Sequence, residues 1–282
     1  MTASASNIFR AIRIALFFAI FLCMGGCRDR TSNENASSPR VVTFSPAITD
    51  MIFEMGLGDH IVGVSSYCRL PDGEERPDVG NVLNIRSEPI LTVDPDLILT
   101  QIEPETLDAV RQIAPDIAIE HFEIETLEDI AVAMERIGRL LDDPEKGILH
   151  SDNFRASIQE LEAQRLELDE QRVLFVTGYE QPLAAGRETF IDEMMTLAGG
   201  RNVLSDRFKG WKAVGLETIL ETSPDVIVCL CTDGRKDEAE RYWTELGASR
   251  RVILLDDPDW TIPAGHLPDY TCQLRDLLHE ND

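Results

Sequence analysis

One short stretch occurs twice in this chain, and its repetition constrains the fold more than any other feature. Residues 88–98 read EPILTVDPDLI, and residues 217–227 read ETILETSPDVI, 129 residues further on. In each copy a helical turn led by glutamate precedes Pro-Asp and an apolar strand. The distance is far too long for a solenoid repeat and instead predicts two similar α/β lobes. A cleft between two such lobes is a common place for a ligand.

The charge of the chain limits its partners. The formal net charge is −25 over 282 residues. A nucleic acid is therefore excluded as a partner, because so acidic a surface cannot neutralise phosphates. The length is sufficient for two hydrophobic cores.

The first 27 residues have the features of an export signal. Arg10 and Arg13 precede an apolar run at 14–24, which is too short to span a bilayer but typical of a signal peptide. The run ends in Met-Gly-Gly-Cys, which resembles the lipobox of bacterial lipoproteins and predicts lipidation of Cys27. A plain signal peptide followed by an incidental cysteine is the alternative.

The segment after Cys27 is predicted to be a flexible tether. Residues 28–39 contain no large apolar residue. Together with the signal, this predicts a protein in the periplasm or at the cell surface that reaches the membrane only through its lipid. The sequence leaves open whether the anchor lies in an inner or an outer membrane.

The rest of the chain alternates apolar strands with amphipathic helices. The predicted strands are 41–45, 61–65, 97–99, 117–121, 173–176, 226–228 and 252–255. The main predicted helices are 46–55, 104–114, 126–141, 188–197, 236–246 and a C-terminal helix. This alternation predicts parallel sheets covered by helices. The predicted fold class is α/β, with two Rossmann-like lobes at 40–141 and 171–282.

A long helix is predicted between the two lobes, within 142–170. Asp143 is a good N-cap, Pro144 suits the first helical position, and Glu145 adds an acid to the first turn. A helix from there to about Leu168 would be ~35 Å long. We expect it to join the lobes as a strut; the alternative is a surface helix that belongs to one lobe.

Four cysteines remain beyond the signal and the anchor: Cys68, Cys229, Cys231 and Cys272. Cys229 and Cys231 lie two apart on a predicted strand, so their side chains face the same way. That arrangement favours small core residues over a mutual disulfide or a closed zinc site. The sequence does not determine any pairing among the four.

Signals for catalysis are weak. The chain has no P-loop, no G-x-G-x-x-G and no G-x-S-x-G motif. Its five histidines have no spacing typical of metal ligands. We therefore predict a binding protein without a resident cofactor or metal, and not an enzyme.

Several stretches in order resemble one family. Residues 41–67, 79–99, 184–194 and 197–203 resemble periplasmic solute-binding proteins that serve ABC importers of cobalamin, haem and ferric siderophores. The resemblance extends over nearly the whole chain after the tether. It implies two α/β lobes joined by one long rigid helix, with little hinge closure. It also implies a monomer that delivers a small molecule to a permease dimer with its ATPase.

The resemblance assigns a role to the repeated glutamates. In this family one acid on each lobe docks into arginines of the permease, and Glu88 and Glu217 match those positions. Exposed acids at equivalent points of two lobes also suit a two-subunit receptor. The alternative is that each glutamate only stabilises the positive N-terminus of its helix.

Ligand contacts are expected on loops at the strand ends. We predict ligand contacts at Tyr67, Tyr179, Trp211, Asp259 and Trp260. All except Tyr179 match positions that line the corrin site in cobalamin-binding members of the family. The resemblance therefore implies cobalamin or a related corrinoid. For each aromatic residue, packing within the fold is the alternative.

Some departures keep other ligands open. Val82 and Leu183 stand where cobalamin-binding members have aromatic residues, and residues 263–266 contain no arginine. Haem would need an axial ligand, for which Tyr67, Tyr179 and His266 are the candidates. An anionic ferric siderophore would need cations, for which Arg69, Arg86 and Arg187 are the candidates. A sensor without a transporter is a further alternative.

Overall fold

A computed structural model describes residues 38–81 and 83–280 of this chain. The predicted signal peptide, the lipidation of Cys27 and nearly all of the tether lie outside these residues, as does Val82. Those hypotheses stay predictions.

Twelve short strands and nine α-helices build the described part. The strands are β1 Val41–Thr43, β2 Ile61–Val64, β3 Gly80–Asn81, β4 Asn84–Ile85, β5 Leu97–Thr100, β6 Ala118–His121, β7 Gln171–Thr177, β8 Leu183–Ala185, β9 Gly200–Asn202, β10 Trp211–Ala213, β11 Val226–Leu230 and β12 Arg251–Leu255. The helices are α1 Pro46–Glu54, α2 Ser87–Thr92, α3 Asp108–Ile113, α4 Leu127–Leu140, α5 Pro144–Arg165, α6 Phe190–Leu197, α7 Leu216–Thr222, α8 Lys236–Leu246 and α9 Leu267–His279.

The first sheet is entirely parallel, as predicted. Its strand order is β2-β1-β5-β6. Every residue of β1 and β5 is buried, because helices cover both faces of the sheet. Short continuous apolar runs are the pattern expected for such strands, which is why the sequence revealed them.

The second sheet contains antiparallel strands that the sequence did not predict. Strands β9, β7, β11 and β12 run parallel, whereas β8 pairs antiparallel with β7 and β10 pairs antiparallel with β8. None of the strands predicted from the sequence falls within 177–186 or 199–215. Strands of three residues are too short to display an alternating pattern, so β8, β9 and β10 were not recognised.

The repeated stretch occupies equivalent places in the two sheets. Helices α2 and α7 lead into β5 and β11, and each of these strands lies between two parallel neighbours. The correspondence extends to the backbone, because Asp94 and Ser223, at matching positions before the Pro-Asp pair, both adopt a left-handed conformation, with φ of 47° and 46°. The prediction of two lobes from the repeat is confirmed.

The predicted long helix is confirmed as α5, 22 residues in length. The side chain of Asp143 accepts a hydrogen bond of 3.1 Å from the backbone N–H of Lys146, as expected of an N-cap. Helix α5 packs along α4 and also contacts α6 and α9, which flank the second sheet. It therefore touches helices that precede it and helices that follow it.

Helices α4 and α5 form a hairpin that is closed by two glycines. A Cβ on Gly138 would lie 2.7 Å from Cα of Gly147, and a Cβ on Gly147 would lie 2.8 Å from the carbonyl oxygen of Met134. Real Cβ atoms do not approach that closely. The absence of side chains at both positions lets the two backbones touch.

The prediction that Cys229 and Cys231 are core residues is confirmed, since both are buried. Cys68 and Cys272 are partly buried, and all four cysteines are free thiols. The thiols of Cys229 and Cys231 lie 3.5 Å apart on one face of β11 and its continuation. Within the described residues, every helix is too short or too polar to cross a membrane.

Candidate ligand site and docking surface

A pocket of about 660 Å³ opens where strands of the second sheet end. Residues 177–179 at the end of β7, residues 230–233 at the end of β11, and Pro258 and Thr261 beyond β12 line it. Loops diverge at the carboxyl ends of parallel strands, and ligands bind in the crevice that results. The volume lies in the range of ligand sites in proteins.

Apolar side chains form one side of this pocket. They are Trp211 on β10, Leu183 on β8 and Phe190 at the start of α6. Trp211 is partly buried and packs edge-on against Phe175, with 6.3 Å between the ring centroids. The ring is thus held in place while part of it remains accessible. Such a wall suits a large, flat, weakly charged ligand.

Tyr179 lines the pocket, but its hydroxyl group is engaged within the protein. The hydroxyl donates a hydrogen bond of 2.9 Å to Oε2 of Glu238 and accepts one of 3.1 Å from Nη1 of Arg235. Burial, together with the hydrogen bond to Glu238, raises the pKa of Tyr179. The hydroxyl oxygen is thus occupied by two protein partners, which disfavours Tyr179 as an axial ligand of haem.

Tyr67 lies in the loop that follows β2 of the first sheet, and it does not line the pocket of the second sheet. Its side chain is 51% exposed. Two residues later, the guanidinium of Arg69 meets the carboxylate of Asp259 in the loop that follows β12. This contact brings the Tyr67 loop beside the pocket, so Tyr67 is available to a ligand that extends between the lobes.

Asp259 and Trp260 belong to a short 3-10 helix at Pro258–Thr261. The indole of Trp260 is only 3% exposed and packs edge-on against Tyr270, with 4.8 Å between the centroids. Pro258 and Thr261 line the pocket, whereas Trp260 points into the packed interior. Its predicted contact with a ligand receives no support from this arrangement.

His266 is also engaged within the protein. Its Nε2 lies 3.1 Å from the carbonyl oxygen of Asp259, and its Nδ1 lies 3.8 Å from Oε1 of Glu54. Both ring nitrogens thus face protein oxygens. The histidine ties the loop after β12 to α1 and is poorly placed to bind iron.

Among the described residues that line the pocket, Asp233 is the one ionisable carboxylate, and none is a cation. A hydrogen bond from Arg235 lowers the pKa of Asp233, so the carboxylate is charged at neutral pH. Of the candidate arginines, Arg187 pairs with its neighbour Glu188 at the surface. Such a lining disfavours an anionic ligand. Nowhere in 38–81 and 83–280 do three His, Cys, Asp or Glu side chains converge as they would around a metal ion.

Sequence reasoning missed part of the pocket wall. Thr177, Phe190 and residues 231–233 line the pocket, although none of them was predicted as a ligand contact. Residues 231–233 follow β11 directly. The rule that placed the other candidates at strand ends could have found them, had it been applied to this strand as well.

The repeated glutamates lie apart from the pocket. Glu88 and Glu217 occupy the first turns of α2 and α7, and both are exposed. In the described part of the chain neither carboxylate has an ion-pair partner. Both charges are therefore open to solvent or to another protein.

Two α/β lobes, a long helix and a pocket at the strand ends match the arrangement expected of a solute-binding protein. Residues 41–245 match the family described as periplasmic binding protein. The match covers most of the chain, so the chain belongs to the family of periplasmic binding proteins. The resemblance stated from the sequence is confirmed.

Relatives within this family differ in what their names say they bind. The vitamin B12-binding protein of Yersinia pestis (strain Pestoides F) is 26% identical over 209 residues, which cover 73% of this chain and 75% of that protein. The periplasmic heme-binding protein RhuT from Roseiflexus sp. RS-1 is 26% identical, with a TM-score of 0.69, covering 85% of this chain and 98% of that one. The periplasmic vitamin B12 binding protein BtuF of Vibrio cholerae has a TM-score of 0.71 at 24% identity, covering 86% and 99%.

Proposed function

We propose that this protein is the solute-binding component of an ABC importer and that it is lipid-anchored at Cys27 outside the cytoplasm. In this proposal it captures cobalamin or a related corrinoid between its lobes and delivers it to a permease dimer driven by an ATPase. It catalyses no reaction. The observation that carries the proposal is the pair of exposed acids, Glu88 and Glu217, at equivalent points of the two lobes.

The choice of a corrinoid rests on the chemistry of the pocket. Trp211, Leu183 and Phe190 offer apolar surface, and the lining that the structure describes contains one carboxylate and no cation. A corrinoid is large, presents wide apolar faces and carries no cluster of negative charges. A ferric siderophore with several anionic groups fits this lining poorly. The name of the Yersinia relative supports the same choice.

Haem is the second candidate, and one observation favours it. The ring of Tyr67 is half exposed, and its hydroxyl has no hydrogen-bond partner within the described residues. A free phenol beside the pocket is a suitable axial ligand for iron. The similarity to a heme-binding protein from Roseiflexus points in the same direction.

Titration of the purified protein, residues 28–282, separates these ligands. We expect cyanocobalamin to bind with a Kd near or below 1 μM, about −8.2 kcal/mol, by isothermal calorimetry. Haemin and a ferric hydroxamate should bind at least ten-fold more weakly. If no corrinoid binds more tightly than roughly 10 μM, about −7 kcal/mol, the corrinoid assignment is wrong. Tight haemin binding that is lost in Tyr67→Phe would establish the second candidate.

The anchor and the transporter have separate tests. In cells supplied with a labelled fatty acid, the protein should incorporate the label, and Cys27→Ala should remove it. Deletion of the gene should abolish uptake of labelled cyanocobalamin by the native organism. Unchanged uptake in the deletion strain would favour a sensor that works without a transporter.

A further inference from the structure

The repeat preserves an exposed leucine as well as an exposed glutamate. In each copy the residue three positions after the glutamate is leucine, Leu91 or Leu220. Leu91 is 40% exposed and Leu220 is 45% exposed. The isoleucine between glutamate and leucine, Ile90 or Ile219, is buried in both lobes.

This pattern shows which side of each short helix faces solvent and which side faces the core. Residues three apart lie on the same side of a helix, one turn from each other. Glutamate and leucine therefore share the outward face of α2 and of α7, while the isoleucine fixes the inward face. Each isoleucine belongs to a buried hydrophobic cluster of its lobe. Neither leucine belongs to a hydrophobic cluster of the described residues.

We propose that Leu91 and Leu220, together with Glu88 and Glu217, form a two-point docking surface for the permease dimer. Each point consists of one acid and one apolar side chain. This inference rests on the proposed function, and it adds that the permease offers an apolar socket beside each cation. Single exposed leucines are common on protein surfaces. The same exposure beside the same acid in both lobes is what marks this pair.

Electrostatics select a permease over other partners for this surface. Two copies of this chain would bring like charges together, since each docking point begins with a glutamate and the formal net charge is −25. An anionic membrane surface is disfavoured for the same reason. A two-subunit protein with a basic residue on each subunit is complementary in charge and in symmetry.

The energetic roles of the two side chains differ. An exposed ion pair contributes little to affinity but accelerates and orients the encounter. Burial of a leucine side chain removes apolar area from water and slows dissociation. The glutamates should therefore govern the association rate and the orientation of the protein on the permease, and the leucines should govern the dissociation rate.

The test measures uptake of labelled cyanocobalamin in the native organism, with each variant replacing the chromosomal gene. Leu91→Ser with Leu220→Ser should lower uptake at least ten-fold at subsaturating ligand, while the Kd for cyanocobalamin and the Tm of the purified protein stay as in the wild type. The matched control is Leu149→Ser with Leu166→Ser, two leucines that are 57% and 79% exposed and lie on α5 or directly after it. The control should transport normally.

A Glu88→Gln, Glu217→Gln variant separates this inference from the proposed function. If the glutamine variant loses uptake and the leucine variant does not, the leucine inference is overturned and the proposed function stands. If both variants transport normally, both are overturned. An equal loss of uptake in the Leu149 and Leu166 control also overturns the leucine inference, because any exposed leucine would then serve.

A second measurement identifies the partner directly. A photo-crosslinking amino acid at position 91 or 220 should capture the membrane-spanning subunit of an ABC importer, identified by mass spectrometry. The same group at position 149 should not. Capture of that subunit from position 149 as readily as from 91 and 220 would contradict the assigned surface.

Discussion

The guanidinium of Arg69 meets the carboxylate of Asp259, which joins the loop after β2 of the first sheet to the loop after β12 of the second. A second carboxylate of the same loop, that of Asp257, lies 3.8 Å from the same guanidinium. The contact lies beside the candidate pocket and links the two lobes there. Arg69 and Asp259 should therefore affect ligand binding jointly and not independently.

A double-mutant cycle tests this coupling. Arg69→Ala and Asp259→Asn should each weaken binding of cyanocobalamin, and the double variant should bind no more weakly than the worse single one, because each residue acts through the other. The free energy of unfolding should fall by less than about 1 kcal/mol in each variant, since an ion pair whose guanidinium is more than half exposed contributes little. Calorimetric titration and urea unfolding give the two quantities. Additive losses in affinity would contradict the coupling.

The two loop tryptophans should respond differently to truncation. Trp211→Ala should weaken binding of cyanocobalamin at least ten-fold, because part of its ring faces the pocket. Trp260→Ala should instead lower the free energy of unfolding by about 3 to 5 kcal/mol, because its indole is buried against Tyr270. Each variant serves as the control for the other in titration and urea unfolding. An unchanged Kd in Trp211→Ala would show that this ring is not a ligand contact.

Stability should depend on pH through Asp50 of α1. Burial raises the pKa of Asp50 to about 6, with His266 and Arg69 opposing the shift and Glu54 adding to it. A carboxyl group with a raised pKa binds its proton more tightly in the folded state than in the unfolded state. Its contribution to stability therefore falls as pH rises from about 4 to about 6, and the full penalty persists above pH 6.

The variant Asp50→Asn tests this sign, because asparagine cannot ionise. Above pH 6 the variant should be more stable than the wild type, by roughly 1 to 3 kcal/mol. The difference should shrink as pH is lowered towards 4. Urea unfolding at pH 4.5, 6 and 7.5 measures it. A difference that does not vary with pH would mean that Asp50 ionises normally in the fold.

The glycine contact between α4 and α5 should be sensitive to a single methyl group. Gly138→Ala should lower the free energy of unfolding by about 1 to 3 kcal/mol, because a Cβ there would lie 2.7 Å from Cα of Gly147. Gly215→Ala is the control, since a Cβ at that position would have no described heavy atom within 4 Å. Alanine restricts the unfolded chain more than glycine does, which stabilises the fold, but alanine is a weaker N-cap. The two effects oppose each other, so the free energy of unfolding should change by less than about 0.5 kcal/mol. Equal effects of the two substitutions would contradict close packing of the hairpin.

Most of the architecture could be predicted from the sequence because the patterns that indicate it are local. A buried parallel strand such as β5 or β11 is a continuous apolar run, and the N-cap at Asp143 is formed by neighbouring residues. Strands β8 and β10 were missed because they owe their conformation to pairing with β7 and with each other, and three residues do not encode such a pairing in a visible pattern.

The candidate site was less predictable, since exposure depends on distant partners. Trp211 and Trp260 are both aromatic residues in segments predicted as loops, and it is Tyr270 that distinguishes the second by burying it. The hydroxyl of Tyr179 likewise forms hydrogen bonds with Glu238, which lies in α8, and with Arg235, which directly precedes that helix. The residues around Trp260 and Tyr179 in the sequence do not predict these contacts.

A small change of angle at the glycine pair of the helical hairpin would be amplified along α5. Gly138 and Gly147 bring the two backbones into contact near the start of α5, and the helix then extends for roughly 27 Å to its last residue. A tilt of about 4° at this contact would displace the far end by about 2 Å. The distance between Glu88 on one lobe and Glu217 on the other should therefore depend in part on two glycines of a hairpin to which neither glutamate belongs. Side chains at these two positions should open the hairpin and so change that distance.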